Sequence, residues 1–287
     1  MRAWPATLAV ALCAFAAACI STTRLDTSGL SFSQDPLIGK VVWNDLITDD
    51  LAAVRAFYSG LFGWTYDDAG SRHGHKYVLA RAGNAYVGGI LEVDDRADGK
   101  PLSRWLPYVS VDDVDAAVQR TKSEGGRVAV PPTKVNLGRV AAIIDPEGAV
   151  IGLARSRIGD PDETSTAPAL GRIVWTELLA NNPQQAAKFY AAVVGYEPLT
   201  AARRGGEYTW LTHRGTRRAG LFENPSSEAE PVWLTFFAVD DPAASAERVQ
   251  TLGGRVVLPP SPTLRDNTIA VVTDPTGAIL VLQKFPT

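Results

Sequence analysis

One set of motifs occurs twice in this 287-residue chain, and that duplication constrains the fold more than any other feature. Val41-Val42-Trp43-Asn44-Asp45-Leu46 is followed by Phe57-Tyr58 and then Leu61-Phe62-Gly63-Trp64. Ile173-Val174-Trp175-Thr176-Glu177-Leu178 is followed by Phe189-Tyr190 and then Val193-Val194-Gly195-Tyr196. Trp43 and Trp175 lie 132 residues apart, and so do Tyr58 and Tyr190. Later anchors keep an offset of 128: Val111-Asp112 with Val239-Asp240, Gly125-Gly126 with Gly253-Gly254, Pro131-Pro132 with Pro259-Pro260. Asp145-Pro146 and Asp274-Pro275 are 129 apart. The offset slips only where loops are expected, so the chain holds two copies of one domain in tandem.

Bulk composition narrows the class. Hydrophobic content of 46% and charged content of 21% describe a globular protein. A net charge of −3 without a basic stripe speaks against a nucleic-acid partner. The two cysteines, Cys13 and Cys19, both stand near the N-terminus. The folded body therefore has no thiols for disulfides, nucleophiles or thiolate metal sites.

Arg2 precedes an apolar run of small residues, Leu8 to Ala18, too short to span a bilayer. It ends in Ala16-Ala17-Ala18-Cys19, which resembles the lipobox of bacterial lipoproteins, with Ala16 where leucine is usual. The resemblance implies a signal peptide over 1–18, acylation of Cys19 and anchoring to a membrane in the cell envelope. Ile20 in place of aspartate implies the outer membrane, facing the periplasm, in a Gram-negative cell. Secretion with cleavage after a small residue is the alternative. Residues 19–36, rich in Ser and Thr, read as a flexible tether.

Each copy contains two smaller units of one pattern: strand, helix, three strands. In the first, Val41 to Ile47 is a strand. Asp49 or Asp50 caps a helix with apolar face Leu51, Val54, Phe57, Tyr58 and Leu61, which Gly63 stops. Strands follow near 64–66, 77–80 and 86–91. The second unit opens with a strand over 106–111 and a helix from Asp112 or Asp113 to Gly125. Its strands fall at 128–130, 140–144 and 150–154, the last two joined by a turn at Asp145-Pro146-Glu147-Gly148. The second copy repeats this, with Asn182-Pro183 and Asp241-Pro242 as helix starts. The fold class is α+β. Residues 37–156 form the first domain, 157–170 a linker and 171–287 the second domain.

These motifs resemble the vicinal oxygen chelate superfamily, which includes glyoxalases, bleomycin-resistance proteins and extradiol dioxygenases. The carriers are the Phe-Tyr helix end, the Val-Asp-Asp strand-to-helix junction, the Gly-Gly stop and the Asp-Pro-x-Gly-Ala turn. The resemblance implies two βαβββ units per domain, forming a curved sheet around an open cleft. It also implies metal-ligand positions on the first and last strands of each unit. These fall on Trp43, Gly89, Leu106 and Gly152, and on Trp175, Gly220, Leu234 and Val281. None of these side chains ligates a divalent ion, so neither a metal nor a cofactor is expected. His73, His75 and His213 are read as turn residues.

Period-two alternation then describes the clefts. If Trp43 faces the cleft, Val41 and Asp45 do too, beside Leu106 and Tyr108. The second domain presents Trp175, Glu177, Leu234 and Phe236. The outward set, Val42 and Leu46 or Val174 and Leu178, is expected to pack the helices. An aromatic, mostly apolar wall with one acid suits a small apolar or aromatic ligand, and Asp45 and Glu177 are the weak candidates for acid–base catalysis. In the alternative, the tryptophans plug the clefts, and the acids bond backbone N–H groups or Arg139. The expected function is that of a membrane-tethered binder. Its rivals are a metal-dependent lyase or dioxygenase whose ligands are offset from these positions, and a drug-sequestering resistance protein.

Overall fold

The computed structural model describes residues 32, 33, 35–72, 75–93, 103–162, 169–203, 206–226 and 229–285. The signal segment, Cys19, most of the tether and His73 lie outside them. The first domain comprises β1 (Val41–Thr48), α1 (Leu51–Phe62), β2 (Thr65–Arg72), β3 (His75–Ala82) and β4 (Ala85–Glu92), then β5 (Arg104–Ser110), α2 (Val114–Ser123), β6 (Arg127–Val135), β7 (Gly138–Ile144) and β8 (Val150–Ser156). The second comprises β9 (Ile173–Ala180), α3 (Pro183–Val194), β10 (Glu197–Arg203), β11 (Gly206–His213) and β12 (Thr216–Glu223), then β13 (Val232–Val239), α4 (Pro242–Thr251), β14 (Arg255–Leu258), β15 (Ile269–Thr273) and β16 (Ile279–Lys284). Each domain is one eight-stranded sheet, ordered β2-β3-β4-β1-β5-β8-β7-β6 and β10-β11-β12-β9-β13-β16-β15-β14. The two units of a domain meet at its centre, where β1 pairs antiparallel with β5 and β9 with β13.

Local chemistry sets the helix ends. Asp50 accepts from Ala53 N, Asp113 from Ala116 N, Asn182 from Gln185 N, and Asp241 from Ala243 N and Ala244 N. Gly63 and Gly195 end α1 and α3 in the left-handed region, at φ 70° and 91°, where a Cβ is costly.

A bulge corrects the alternation expected of the first strand. Val41 pairs with Val109 but Trp43 pairs with Tyr108, so one extra residue is accommodated at Val42. An extra residue reverses the facing of everything before it. Val41 therefore packs on the helix side with Val109, not in the cleft. In the second domain Ile173 pairs with Phe237 and Trp175 with Phe236. Ile173 packs on the helix side, whereas Val174, expected there, packs on the cleft side beside Trp175. Leu46 and Leu178 do pack the helices. β6 is also longer than expected: it continues through Pro131-Pro132 because it is an edge strand with register shifts, where missing donors are tolerated.

Neither domain buries its helices alone. One core joins Leu46, Phe57, Tyr58 and Trp64 of the first domain to Phe237, Val249 and Leu280 of the second. The other joins Val109, Val118 and Ile151 to Leu178, Phe189, Tyr190 and Trp233. Thus α1 packs against α4, and α2 against α3.

Two equivalent hydrogen-bond chains cross this interface. Trp105 Nε1 donates to Tyr58 Oη (2.9 Å), and Tyr58 donates to Asp274 Oδ2 (3.3 Å). Trp233 Nε1 donates to Tyr190 Oη (3.0 Å), and Tyr190 donates to Asp145 Oδ2 (3.0 Å). The other oxygen of each aspartate organises its own turn. Asp145 Oδ1 accepts from the backbone of Glu147, Gly148 and Ala149, and Asp274 Oδ1 from that of Thr276 and Ala278. Burial pushes both tyrosine hydroxyls well above their ordinary pKa, which keeps them donors. A second equivalent pair, Trp64 Nε1 to Gly171 O and Tyr196 Oη to Gly39 O, ties the strand starts together.

Tyr58→Phe or Tyr190→Phe leaves a buried carboxylate oxygen and an indole N–H unpaired. Each substitution is expected to lower stability by roughly 1–3 kcal/mol, measured by urea unfolding. Midpoints equal to wild type in both variants would remove these chains from any account of the interface.

Candidate functional site

The central strands align the cleft residues in two cross-strand rows. Gly89, Asp45 and Leu106 form one, on β4, β1 and β5; Trp43, Tyr108 and Gly152 form the next, on β1, β5 and β8. The second domain repeats them as Gly220, Glu177 and Leu234, and as Trp175, Phe236 and Val281. The eight metal-ligand positions implied by resemblance all lie within these rows. Their glycines make room for tyrosines. A Cβ on Gly89 would collide with the hydroxyl of Tyr77, one on Gly220 with that of Tyr208, and one on Gly152 with the ring of Tyr108. No group of three or more His, Cys, Asp or Glu side chains that could hold a metal ion exists among the described residues. The residues present at the family's metal locus do not fit a divalent cation.

Each locus instead carries a hydrogen-bonded Trp–Tyr–acid cluster. Asp45 Oδ1 accepts from Trp43 Nε1 (2.9 Å) and Tyr77 Oη (2.8 Å). Glu177 Oε1 accepts from Trp175 Nε1 (3.0 Å) and Tyr208 Oη (2.6 Å). The tryptophans are half-buried and both acids buried. Tyr77 and Tyr208 were not expected as site residues, although their offset of 131 on matching strands is a sequence signal. Arg139, one expected partner for the acids, alternates to the helix side and pairs with Asp115 of α2 (2.5 and 2.7 Å).

The two clusters differ in charge. In the second domain Arg265 donates to Glu177 Oε2 (2.5 Å) and lies over the rings of Tyr208 (5.7 Å) and Phe236 (5.4 Å). Arg265, Asp266 and Asn267 all have positive φ, 48°, 53° and 62°. Three such non-glycine residues cost about 1–2 kcal/mol each. The first domain has a tight β6–β7 hairpin here, Val135 opposite Gly138, and no arginine among the described residues bonds its acid. Asp45 Oδ2 is buried without a hydrogen-bond partner among the described residues. Burial pushes the Asp45 carboxyl up to about 7, against the pull of bonds from Tyr77, Trp43 and the backbone of Gly89.

A cavity of about 570 Å³ opens between the domains. It reaches from Trp43, Tyr77 and Tyr108 on the first sheet to Arg172–Thr176 and Arg217–Arg218 on the second. Of the eight expected ligand-binding residues, Trp43, Tyr108 and Trp175 line it. Leu106, Leu234 and Phe236 are buried within cleft-side packing, and Asp45 and Glu177 stay bonded to the indoles. His213 stands at the end of β11, with Nδ1 3.0 Å from Gly195 O.

The model of the Glyoxalase/Bleomycin resistance protein/Dioxygenase superfamily matches residues 38–153 and again 172–282. A Mycobacterium tuberculosis protein provisionally named a glyoxylase, CFP32, is 36% identical over 247 residues, 84% of this chain and 93% of that one. The anthracycline biosynthesis protein DauV of Streptomyces sp. strain C5 is 31% identical over 258 residues, 84% of this chain and 91% of its own. Among solved structures, the Mn(II)-bound glyoxalase from Novosphingobium aromaticivorans superposes with a TM-score of 0.58 at 18% identity, covering 86% of this chain and 82% of that one. The 2,2',3-trihydroxybiphenyl 1,2-dioxygenase from Sphingomonas wittichii strain RW1 gives 0.55 at 12%, covering 86% and 91%. At these identities the structural matches speak to the fold.

The raised Asp45 carboxyl has a signed consequence. The folded protein keeps a proton that the unfolded chain releases above 3.8, so this contribution is full at low pH and is lost as pH rises to about 7. Buried Asp145 and Asp274 shift in the same direction, so the comparison must be with Asp45→Asn. Between about pH 5 and pH 8, wild type is expected to lose on the order of 3 kcal/mol more stability than the variant. Parallel pH profiles in urea unfolding would show that Asp45 is ionised at an ordinary pH.

Proposed function

The chain belongs to the glyoxalase/bleomycin resistance protein/dioxygenase superfamily, and from that premise we propose that it binds a small, largely apolar aromatic molecule while tethered to a membrane. One observation carries the binding reading: the cavity of about 570 Å³ that both Trp43 and Trp175 line. That size and an aromatic wall suit a flat molecule of two or three rings. Relatives named for anthracycline biosynthesis, whose chemistry concerns fused aromatic rings, support the same class. The side chains at the family's metal locus favour this over a metal-dependent lyase or dioxygenase. A drug-sequestering role is this reading with a particular ligand.

The neutral probe 2-naphthylmethanol tests it. The probe should quench tryptophan fluorescence saturably, and Trp43→Ala should weaken it by roughly tenfold while costing little stability. No saturable binding, or a Trp43→Ala variant that unfolds far more easily yet quenches as before, identifies the ring as a plug.

The tether reading rests on the apolar segment ending at Cys19, in a chain with no later cysteine. None of the described helices is long and apolar enough to cross a membrane. Mass spectrometry of the native protein should find an N-terminal, diacylated or triacylated Cys19. An unmodified Cys19 would refute the anchor.

A further inference from the structure

We propose that the cavity between the domains takes an aromatic carboxylic acid, with its rings against Trp43, Tyr86 and Val87 and its carboxylate held by Lys40, Arg172 and Arg218. This deepens the binding reading above and rests on it.

The first ground is charge. The lining carries six cationic side chains, Lys40, Arg139, Arg155, Arg172, Arg217 and Arg218, and one acidic one, Asp160. The whole chain has a net charge of −3, so this wall runs against the protein's balance. Among them, Arg139 pairs with Asp115, and the Arg217 guanidinium lies 4.5 Å from the Trp210 ring centre. Cations outnumber the single carboxylate in the lining, which gives the cavity a positive field in a partly desolvated space.

The second ground is the departure from the internal repeat. Lys40 and Arg172 are equivalents at the 132 offset, each one residue ahead of its central strand, so both walls carry a cation at the same place. The start of β12 breaks that symmetry. Gly220 opposite Glu177 matches Gly89 opposite Asp45, which aligns Arg217 and Arg218 with Tyr86 and Val87. One domain thus presents an aromatic and aliphatic surface where its copy presents two guanidinium groups. The Tyr86 ring is held under the Arg81 guanidinium at 4.5 Å. A cavity with an apolar patch at Tyr86 and Val87 and cations at Lys40, Arg172 and Arg218 fits a molecule that is part ring and part anion.

The third ground is the state of the cations. Lys40 and Arg218 are half-buried. Burial pushes both below their usual range, and for Lys40 the nearby Arg218 charge adds to the effect. Asp160 opposes the shift in both, and Asp162 in Lys40. Asp160 is fully buried, with Oδ2 accepting from Leu37 N (2.7 Å) and Ser110 Oγ (2.6 Å). Lys40 Nζ donates to Pro161 O (2.5 Å). One further negative charge at this point stabilises the charged form of both cations.

The test is calorimetric titration of the full chain with 2-naphthoate and with 2-naphthylmethanol, which share one ring system. The acid should bind roughly tenfold tighter at low ionic strength, and added sodium chloride should close the gap. Arg218→Gln and, separately, Lys40→Gln should each reduce the preference while leaving the alcohol's affinity unchanged, which also reports an intact cavity. Equal affinities in wild type, or a preference kept by both variants, overturn the carboxylate assignment and leave the aromatic binder standing. If a substitution also abolishes binding of the alcohol, salt dependence in wild type decides, and a preference indifferent to sodium chloride overturns the assignment. If neither compound binds, the binding reading fails and this assignment falls with it.

Discussion

Two buried tyrosines, one per domain, donate their hydroxyls across the interface into the aspartate that shapes the other domain's hairpin turn. Much of the architecture depends on this contact. The aspartate oxygen that holds the turn and the one that receives the tyrosine belong to the same carboxylate, so turn geometry and domain docking are fixed together. A tryptophan N–H completes each chain, and no polar atom of the tyrosine hydroxyl is left without a bond. Because the contact occurs twice in equivalent form, it imposes an approximate twofold relation between the copies. Helices α1 and α4, and α2 and α3, then bury each other in shared cores.

That relation also frames the cavity. It sets the first residues of β1 near those of β9, and the starts of β4 and β12 on opposite sides of the space between. A cleft that could belong to one sheet becomes a space with walls from both domains. Its chemistry is then free to differ from wall to wall, because the two copies need share only the residues that dock them.

The acid beside each tryptophan shows how far the copies have diverged under one hydrogen-bond pattern. Glu177 is long enough to keep its bonds to Trp175 and Tyr208 and to meet Arg265, so its charge is balanced. Asp45 makes the matching pair of bonds and meets no cation among the described residues, so desolvation dominates and its carboxyl rises to about 7. The difference lies in a loop: the second domain ends β14 at Leu258 and spends 259–268 on a turn that delivers arginine, whereas the first continues β6 into a hairpin.

The sequence by itself determined the two tandem domains, the order of strands and helices, the caps at Asn182 and Asp241, and the lack of imidazole or carboxylate at the family's ligand positions. These are local or periodic properties, and a duplication doubles every signal. It also carried Tyr77 and Tyr208, at equal spacing on matching strands, although nothing local marked them as partners of the acids. Only tertiary structure decided the rest. The bulges at Val42 and Val174 reversed the facing of the residues before them, because alternation holds only while pairing is unbroken. The aspartate turns became domain latches because each carboxylate has a second oxygen, and the partner that fills it comes from the other half of the chain. Arg265 could reach Glu177 only through a loop without a counterpart in the first domain. The cavity joins Lys40 of one domain to Arg172 and Arg218 of the other because docking brings together strand starts that lie more than a hundred residues apart, and no periodicity records which surfaces two folded domains will share.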